Sequence, residues 1–307
     1  MPHHANEPVP QHPSARPRAA RPGARGGRRS SVRAAVLAAA AACALTGCQG
    51  PGGTVRAAGT GAPAPASPAH TSPTPSGTPS AGAAKPLAGR VVAIDPGHNA
   101  HNFQHTAEIN KPVKVGNGTK ECDTTGTSTD GGYAEADFNL DVAHRLRALL
   151  TAQGAKVVLT HDGDRPWGPC VTDRAETGNR TKADVALSIH ADGAPVGRRG
   201  FHVILPGRVD EGGADNGPIV APSRRLGEDL RDAFQRVTGS ARSNYIGRGT
   251  GLDTRTDLGG LNLSTVPKVF IECGNMRDPK DAALLTSAKW RQKAALGMAE
   301  GIDRYLE

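Results

Sequence analysis

The 307-residue chain carries 37 Lys and Arg against 29 Asp and Glu, a formal net charge of +8. Nine of the basic residues but only one acidic residue fall within residues 1–87, which leaves the remainder balanced at 28 of each sign. That balance excludes a basic, phosphate-tracking surface as the main function, and with it nucleic-acid binding.

Residues 1–47 have the make-up of an export signal. Arg16, Arg18, Arg21, Arg25, Arg28, Arg29 and Arg33 precede an apolar stretch, 34–45, that is too short to persist as a membrane-spanning helix. The Arg28-Arg29-Ser30-Ser31-Val32 run also permits twin-arginine export. The stretch ends in Leu45-Thr46-Gly47-Cys48, which resembles the lipobox of bacterial lipoproteins. The resemblance implies cleavage before Cys48 and a diacylglycerol on its sulfur; an ordinary signal cleavage nearby is the alternative. Residues 48–87 are mostly Pro, Ala, Gly, Ser and Thr, too poor in large apolar side chains to offset their ordering entropy. They are expected to form a disordered tether with a reach of several tens of Å. Residues 88–307 are then long enough for one domain with a full hydrophobic core, without internal repeats or another stretch able to span a bilayer.

Within that domain, short branched-residue runs predict buried strands at 90–94 (RVVAI), 156–160 (KVVLT), 184–189 (DVALSI), 201–205 (FHVIL) and 268–271 (KVFI). Helices are predicted at 135–152, where Phe138, Val142, Leu146 and Leu149 recur at spacings of three and four, and at 171–181, 223–237, 279–285 and 287–305. Alternating strands and helices predict an α/β fold, a single domain with a central, mainly parallel, twisted sheet flanked by helices. Ligands in such sheets bind beyond the carboxyl ends of the strands.

Four polar residues fall where that rule directs attention. His98 follows the first strand through Asp95-Pro96-Gly97, while His190 and Glu272 end two others, so that all three emerge at one rim. Glu135 opens the first long helix, where the backbone dipole favours a carboxylate, and Asn139 lies one turn further on the same face, able to hydrogen-bond a ligand or substrate. Two imidazoles and a carboxylate suit a catalytic zinc ion with one open position, leaving the second carboxylate for proton transfer. The separations of 37 residues from His98 to Glu135 and 55 to His190 form no compact motif such as HExxH. Taken singly, a strand-end histidine is more often structural than a metal ligand, and a helix-opening glutamate is more often a cap.

The ordered segments IDPGH, AEADFNLDVAHRLRALL, KVVLT, RAETGNR, ADVALSIHAD and PKVFIECGNM resemble the zinc-dependent N-acetylmuramoyl-L-alanine amidases of the type-3 family along nearly the whole domain. That resemblance implies one zinc ion held by His98, Glu135 and His190, with Glu272 as the catalytic carboxylate. It implies a structural role for Arg174 and Asn179 in RAETGNR. It also implies peptidoglycan as the substrate, cut between the lactyl group of N-acetylmuramic acid and L-alanine. A zinc peptidase cutting within the stem peptide and a non-catalytic wall-binding lipoprotein are the alternatives. Export and lipidation would place the domain outside the cytoplasm, on the outer face of the bacterial membrane or within the wall. No separate wall-binding module is visible, so affinity must come from the cleft, the tether or a protein partner.

The chain departs from the family where Asn99-Ala100-His101 opens an insertion running to about residue 132, expected as a flexible polar loop holding His101 and His105. Segments 206–222 and 238–262 also read as loops that can line or cover the cleft. Among the cysteines outside the signal and Cys48, Cys122 and Cys170 fall in loop-like stretches and can pair outside the cell, while Cys273 adjoins a strand and reads as a small core residue.

Overall fold

The structure is a computed structural model that describes residues 85–307. The expected signal segment, the Cys48 lipidation site and the tether as far as residue 84 lie outside the described residues. Leu87, expected at the end of the tether, is buried in the core, and its amide donates to the Gln153 carbonyl at 3.0 Å. Packing therefore begins before residue 88.

In chain order the elements are β1 (Val91–Pro96), a 3-10 turn (Asn102–Gln104), α1 (Thr106–Ile109), β2 (Pro112–Lys114), β3 (Thr119–Glu121), α2 (Glu135–Ala152), β4 (Lys156–Leu159), α3 (Val171–Arg180), β5 (Val185–Asp192) and β6 (His202–Pro206). They continue with β7 (Asp210–Glu211), β8 (Ala214–Asp215), α4 (Gly217–Thr238), a second 3-10 turn (Gly247–Gly249), β9 (Leu252–Arg255), α5 (Gly259–Asn262), β10 (Lys268–Asn275), α6 (Pro279–Leu285) and α7 (Ala288–Leu306). Six strands form one sheet in the order β4-β1-β5-β10-β6-β9, and every neighbouring pair is parallel except β10 with β6. This is the expected α/β architecture with a mainly parallel sheet.

Side chains alternate across a strand, and here the alternation divides apolar from polar. Val92 and Ile94 of β1, Val185, Leu187 and Ile189 of β5, Val203 and Leu205 of β6, and Val269, Ile271 and Cys273 of β10 join one buried cluster. Helices α2, α4 and α7 close that face, with Phe138, Val142, Leu146 and Leu150 of α2 all fully buried. The intervening residues, Asp95, Ser188, His190, Lys268, Phe270, Glu272, His202 and Ile204, occupy the other face, which carries the chemistry.

Three departures from expectation have local causes. Helix α4 begins at Gly217, six residues before the predicted start, with Pro218 in its first turn, where a missing N–H costs nothing, and Pro222 inside the helix, where a proline ordinarily marks a break. Strands β5 and β10 run past their apolar stretches to Asp192 and Asn275, so His190 and Glu272 lie within the strands rather than at their tips. Strand β9, Leu252–Arg255, lies in a segment expected as loop, since an edge strand with a single large apolar residue leaves almost no pattern.

Candidate metal centre

The β1 strand delivers His98 through a turn that only a small residue permits. A Cβ on Gly97 would lie 2.1 Å from Cε1 of His190, so the His190 ring packs directly on the Gly97 backbone. Its ring stacks on Phe270 at 5.3 Å with planes 4° apart. His98 itself has φ +61°, a left-handed conformation that non-glycine residues rarely hold without support.

Arg174 provides that support. Its guanidinium is 4% exposed, and all five N–H groups donate: Nε to the Pro169 carbonyl (2.9 Å), Nη1 to Asp95 Oδ1 (2.8 Å) and the Pro96 carbonyl (2.7 Å), Nη2 to the His98 carbonyl (2.9 Å) and Asp123 Oδ2 (2.9 Å). Asp95 in turn accepts from Ser188 Oγ (2.6 Å) and Thr160 Oγ1 (2.7 Å) and faces Lys268 Nζ at 3.4 Å. Two acids and two bases thus balance one another beneath the turn. Asn139 completes the grip by donating to the Gly97 carbonyl at 3.0 Å. Being fully buried, Asn139 cannot reach a substrate, and its contact with Glu135 Oε1 is a long 3.5 Å. Asn179, by contrast, ties α3 to residues 263 and 265 and takes no part in the cluster.

His98, Glu135 and His190 converge with one potential ligand atom each, all within 4.8 Å of one another. Glu135 Oε1 lies 3.2 Å from His98 Nε2 and 2.9 Å from His190 Nδ1, and the two imidazoles meet edge to face with centroids 4.9 Å apart. Glu135 Oε2 accepts from the Thr127 amide at 2.9 Å. His98 Nδ1 lies 3.0 Å from the Thr124 carbonyl, which turns Nε2 towards Glu135. Two imidazoles and one carboxylate offering a ligand atom each within 4.8 Å, with His98 and Glu135 hydrogen-bonded from the Thr124–Thr127 segment and His190 packed between Gly97 and Phe270, fit a zinc ion.

The electrostatics agree with that donor set. Burial opposes a charge on His98, yet Glu135 and Asp123 outweigh it and raise its pKa to about 10. Burial likewise opposes ionisation of Glu135, and the two histidines hold it well below the usual carboxylate range. Glu272 sits opposite His190 in the β5–β10 register. Burial pushes its carboxyl well up, with the Glu135 and Asp192 carboxylates adding to the effect, and its Oε2 is shielded from solvent without a hydrogen-bond partner. The pocket is thus rich in carboxylates that a cation would offset.

The insertion builds the wall of this site, contrary to the expectation of a flexible loop. Cys122 is bonded to Cys170, the residue preceding α3, and Asn102 is fully buried. Gly126 presses on two of these side chains so closely that a Cβ there would stand 2.8 Å from His98 Cδ2 and 2.9 Å from Glu135 Oε2. Neither His101 nor His105 joins the cluster; His105 faces Glu108 at 3.7 Å. From the segments read as loops, Arg255 and Leu258 line the same cavity of about 350 Å³ as His98, Glu135, His190 and Glu272. Cys273 is a buried free thiol, its pKa pushed well up by burial and by Glu272 and Glu135. Sequence reading missed Asp95, Asp123, Thr124, Thr127 and Lys268. The visible signal was a charged residue inside each of two otherwise apolar runs, Asp95 in VVAIDP and Lys268 before VFI.

Comparison with known proteins agrees with this geometry. The profile of the family described as N-acetylmuramoyl-L-alanine amidase matches residues 92–304. An N-acetylmuramoyl-L-alanine amidase of Mycobacterium tuberculosis is 41% identical over 221 residues, covering 72% of this chain and 88% of that protein. The crystal structure of the N-acetylmuramyl-L-alanine amidase from Mycobacterium smegmatis superposes with a TM-score of 0.65 at 41% identity, over 72% of this chain and 98% of the other. The apo enzyme of Mycobacterium abscessus gives the same TM-score and identity over 72% of this chain and all of its own. With the profile matched along nearly the whole domain and a relative 41% identical, the chain belongs to the N-acetylmuramoyl-L-alanine amidase family.

Proposed function

We propose that this chain hydrolyses the amide between the lactyl group of N-acetylmuramic acid and the L-alanine of peptidoglycan stem peptides, with one zinc ion held by His98, Glu135 and His190. The observation that carries the reading is the convergence of those three donors beside a shielded, unpartnered carboxylate, Glu272. A zinc ion held by these residues would supply Lewis-acid polarisation of the scissile carbonyl and a water of near-neutral pKa. Glu272 takes the proton of the attacking water on its carboxylate and delivers it to the departing alanine nitrogen. Burial and the Glu135 and Asp192 carboxylates raise its pKa, which makes it a stronger proton acceptor than an ordinary carboxylate. Arg174, Asn139 and the Thr124 carbonyl hold the His98 turn in place throughout.

The enzyme works outside the cytoplasm, tethered through a lipidated Cys48; the arginine-rich signal and the Cys122–Cys170 bond support that location. Among the described residues no helix is long and apolar enough to cross a membrane.

Zinc analysis combined with mass spectrometry of digested muropeptides tests the assignment. Wild-type protein should bind zinc and release intact stem peptides, leaving free lactyl carboxyls, and Glu272→Gln should keep zinc while losing most hydrolysis. Muramoyl-alanine remaining on the glycan would identify a stem peptidase instead, and wild-type rates in a zinc-replete Glu272→Gln enzyme would remove the role given to Glu272.

A further inference from the structure

Two hollows adjoin the metal centre. One, of about 200 Å³, runs between Phe270, Val171, Leu258 and Lys120 of β3. The other is an open groove of about 540 Å³ lined by Phe103, Thr125, Thr127 and Asp137, among others. It shares Thr125, Gly126 and Thr127 with the cavity that holds His98, Glu135, His190 and Glu272. The groove is therefore separated from the ligands by a single stretch of chain.

Phe103 is 64% exposed, whereas Phe138, Phe201 and Phe234 are fully buried and Phe270 lies against His190. Its exposure does not come from a loose loop. The neighbouring Asn102 is fully buried, donating to Asp123 Oδ2 (3.0 Å) and the Thr124 carbonyl (2.8 Å) and accepting from the Gly168 amide (2.8 Å). A rigid turn thus holds an aromatic ring in water at the edge of a cleft, a position that adds nothing to the core.

We propose that this groove is a saccharide subsite in which Phe103 stacks on the C–H face of an N-acetylhexosamine of the glycan strand. Thr125, Thr127 and Asp137 take the polar edge of the sugar. The inference rests on the amidase reading and adds to it the side on which the glycan lies. A pyranose offers a flat row of C–H groups bordered by hydrogen-bonding groups, and an aromatic ring flanked by hydroxyls and a carboxylate matches both. A stem peptide presents carboxylates that Asp137 would repel.

The test compares Phe103→Ala and Phe103→Trp with the wild type on a soluble disaccharide-tetrapeptide, with zinc content measured in each. Phe103→Ala should raise KM about tenfold, the effect of losing one stacking contact, while kcat changes by less than about twofold. Phe103→Trp should restore KM, and its fluorescence should change saturably as the peptide-free N-acetylglucosaminyl-N-acetylmuramic acid disaccharide is added. Leu296→Ala, an exposed apolar residue on α7, serves as the control and should alter neither parameter. A KM for Phe103→Ala within about twofold of wild type, or no saturable change in Phe103→Trp, would overturn the subsite. The sugar titration needs no turnover, so it decides the question even if wild-type protein released no stem peptide and the amidase reading fell.

Discussion

Replacing Arg174 by Met removes five donors from beneath the His98 turn while keeping a side chain of similar length. Stripping one partner from a buried, hydrogen-bonded ion pair costs about 3–5 kcal/mol. Here the lower end applies, because Asp95 keeps Lys268, Ser188 and Thr160, and Asp123 keeps Asn102 and the Thr124 amide. A loss of about 3 kcal/mol lowers the melting temperature of a domain this size by roughly 6–12 °C. Metal affinity should fall as well, by about 10- to 100-fold, the usual consequence of removing a group that orients a ligand. Arg174→Lys keeps the charge but cannot reach five acceptors at once, so it should recover part of the stability and little of the affinity. Urea unfolding gives the first quantity and competition with a zinc chelator the second. Arg224, whose ion pair with Glu228 is 55% and 46% exposed, supplies the contrast: Arg224→Met should cost less than about 0.5 kcal/mol. A stability loss below about 1 kcal/mol for Arg174→Met would refute the supporting role, and a full stability loss with unchanged zinc affinity would confine Arg174 to the fold.

Acid sensitivity should trace to Asp95. Burial alone would raise its pKa, but Lys268, Arg174 and Ser188 hold it well below the usual carboxylate range. The unfolded chain therefore binds more protons, so the stabilisation is complete above the unfolded value of about 3.9 and declines below it by up to ~1.4 kcal/mol per pH unit. Urea titrations from about pH 5 to about pH 2 should show a steeper decline in wild type than in Asp95→Asn, and equal slopes would clear Asp95. The Cys122–Cys170 bond spans 48 residues, for which the chain-entropy relation gives about 4 kcal/mol. Intact mass should rise by the two hydrogens of one bridge on reduction, and the Cys122→Ser, Cys170→Ser double variant should unfold at lower urea than wild type. Gly97→Ala would drive a methyl group into the His190 ring, so it should abolish zinc binding while urea unfolding remains cooperative; a zinc-replete Gly97→Ala enzyme would contradict the observed packing.

Helix α2 was legible residue for residue, from Glu135 to Ala152, because its apolar spacing and acidic first turn are both local signals. Five strands of the central sheet were legible to within a few residues, and the strand-end rule directed attention to His98, His190 and Glu272, which the structure brings to one cavity. What escaped was long-range by nature. Asp95 and Arg174 meet across 79 residues, Asp95 and Lys268 across 173, and Arg174 and Asp123 across 51. No window of sequence displays such pairings, and each residue taken alone resembles a solvated charge. The insertion misled for a related reason. Its Gly, Thr and Asn content reads as mobile, yet its order comes from a disulfide spanning 48 residues, from Asn102 bonded to Thr124 and to Gly168, and from the Thr127 amide on Glu135, none of which composition displays.

The two faces of the sheet explain why a site scattered over 175 residues can be held firmly without a compact motif. A slip of one residue in β5 would place Ile189 where His190 stands, and in β10 would substitute Ile271 or Cys273 for Glu272. Such a slip would also turn Leu187, Ile189, Val269 and Ile271 away from α2, α4 and α7, at roughly 1.5–3 kcal/mol for each large apolar side chain exposed. The apolar face therefore fixes the register, and the register fixes where His190 and Glu272 point. Cys273 and Glu272 show the division most plainly: neighbours in one strand, one is a core thiol that chemistry cannot reach, and the other faces the ligands because the pleat turns it the opposite way.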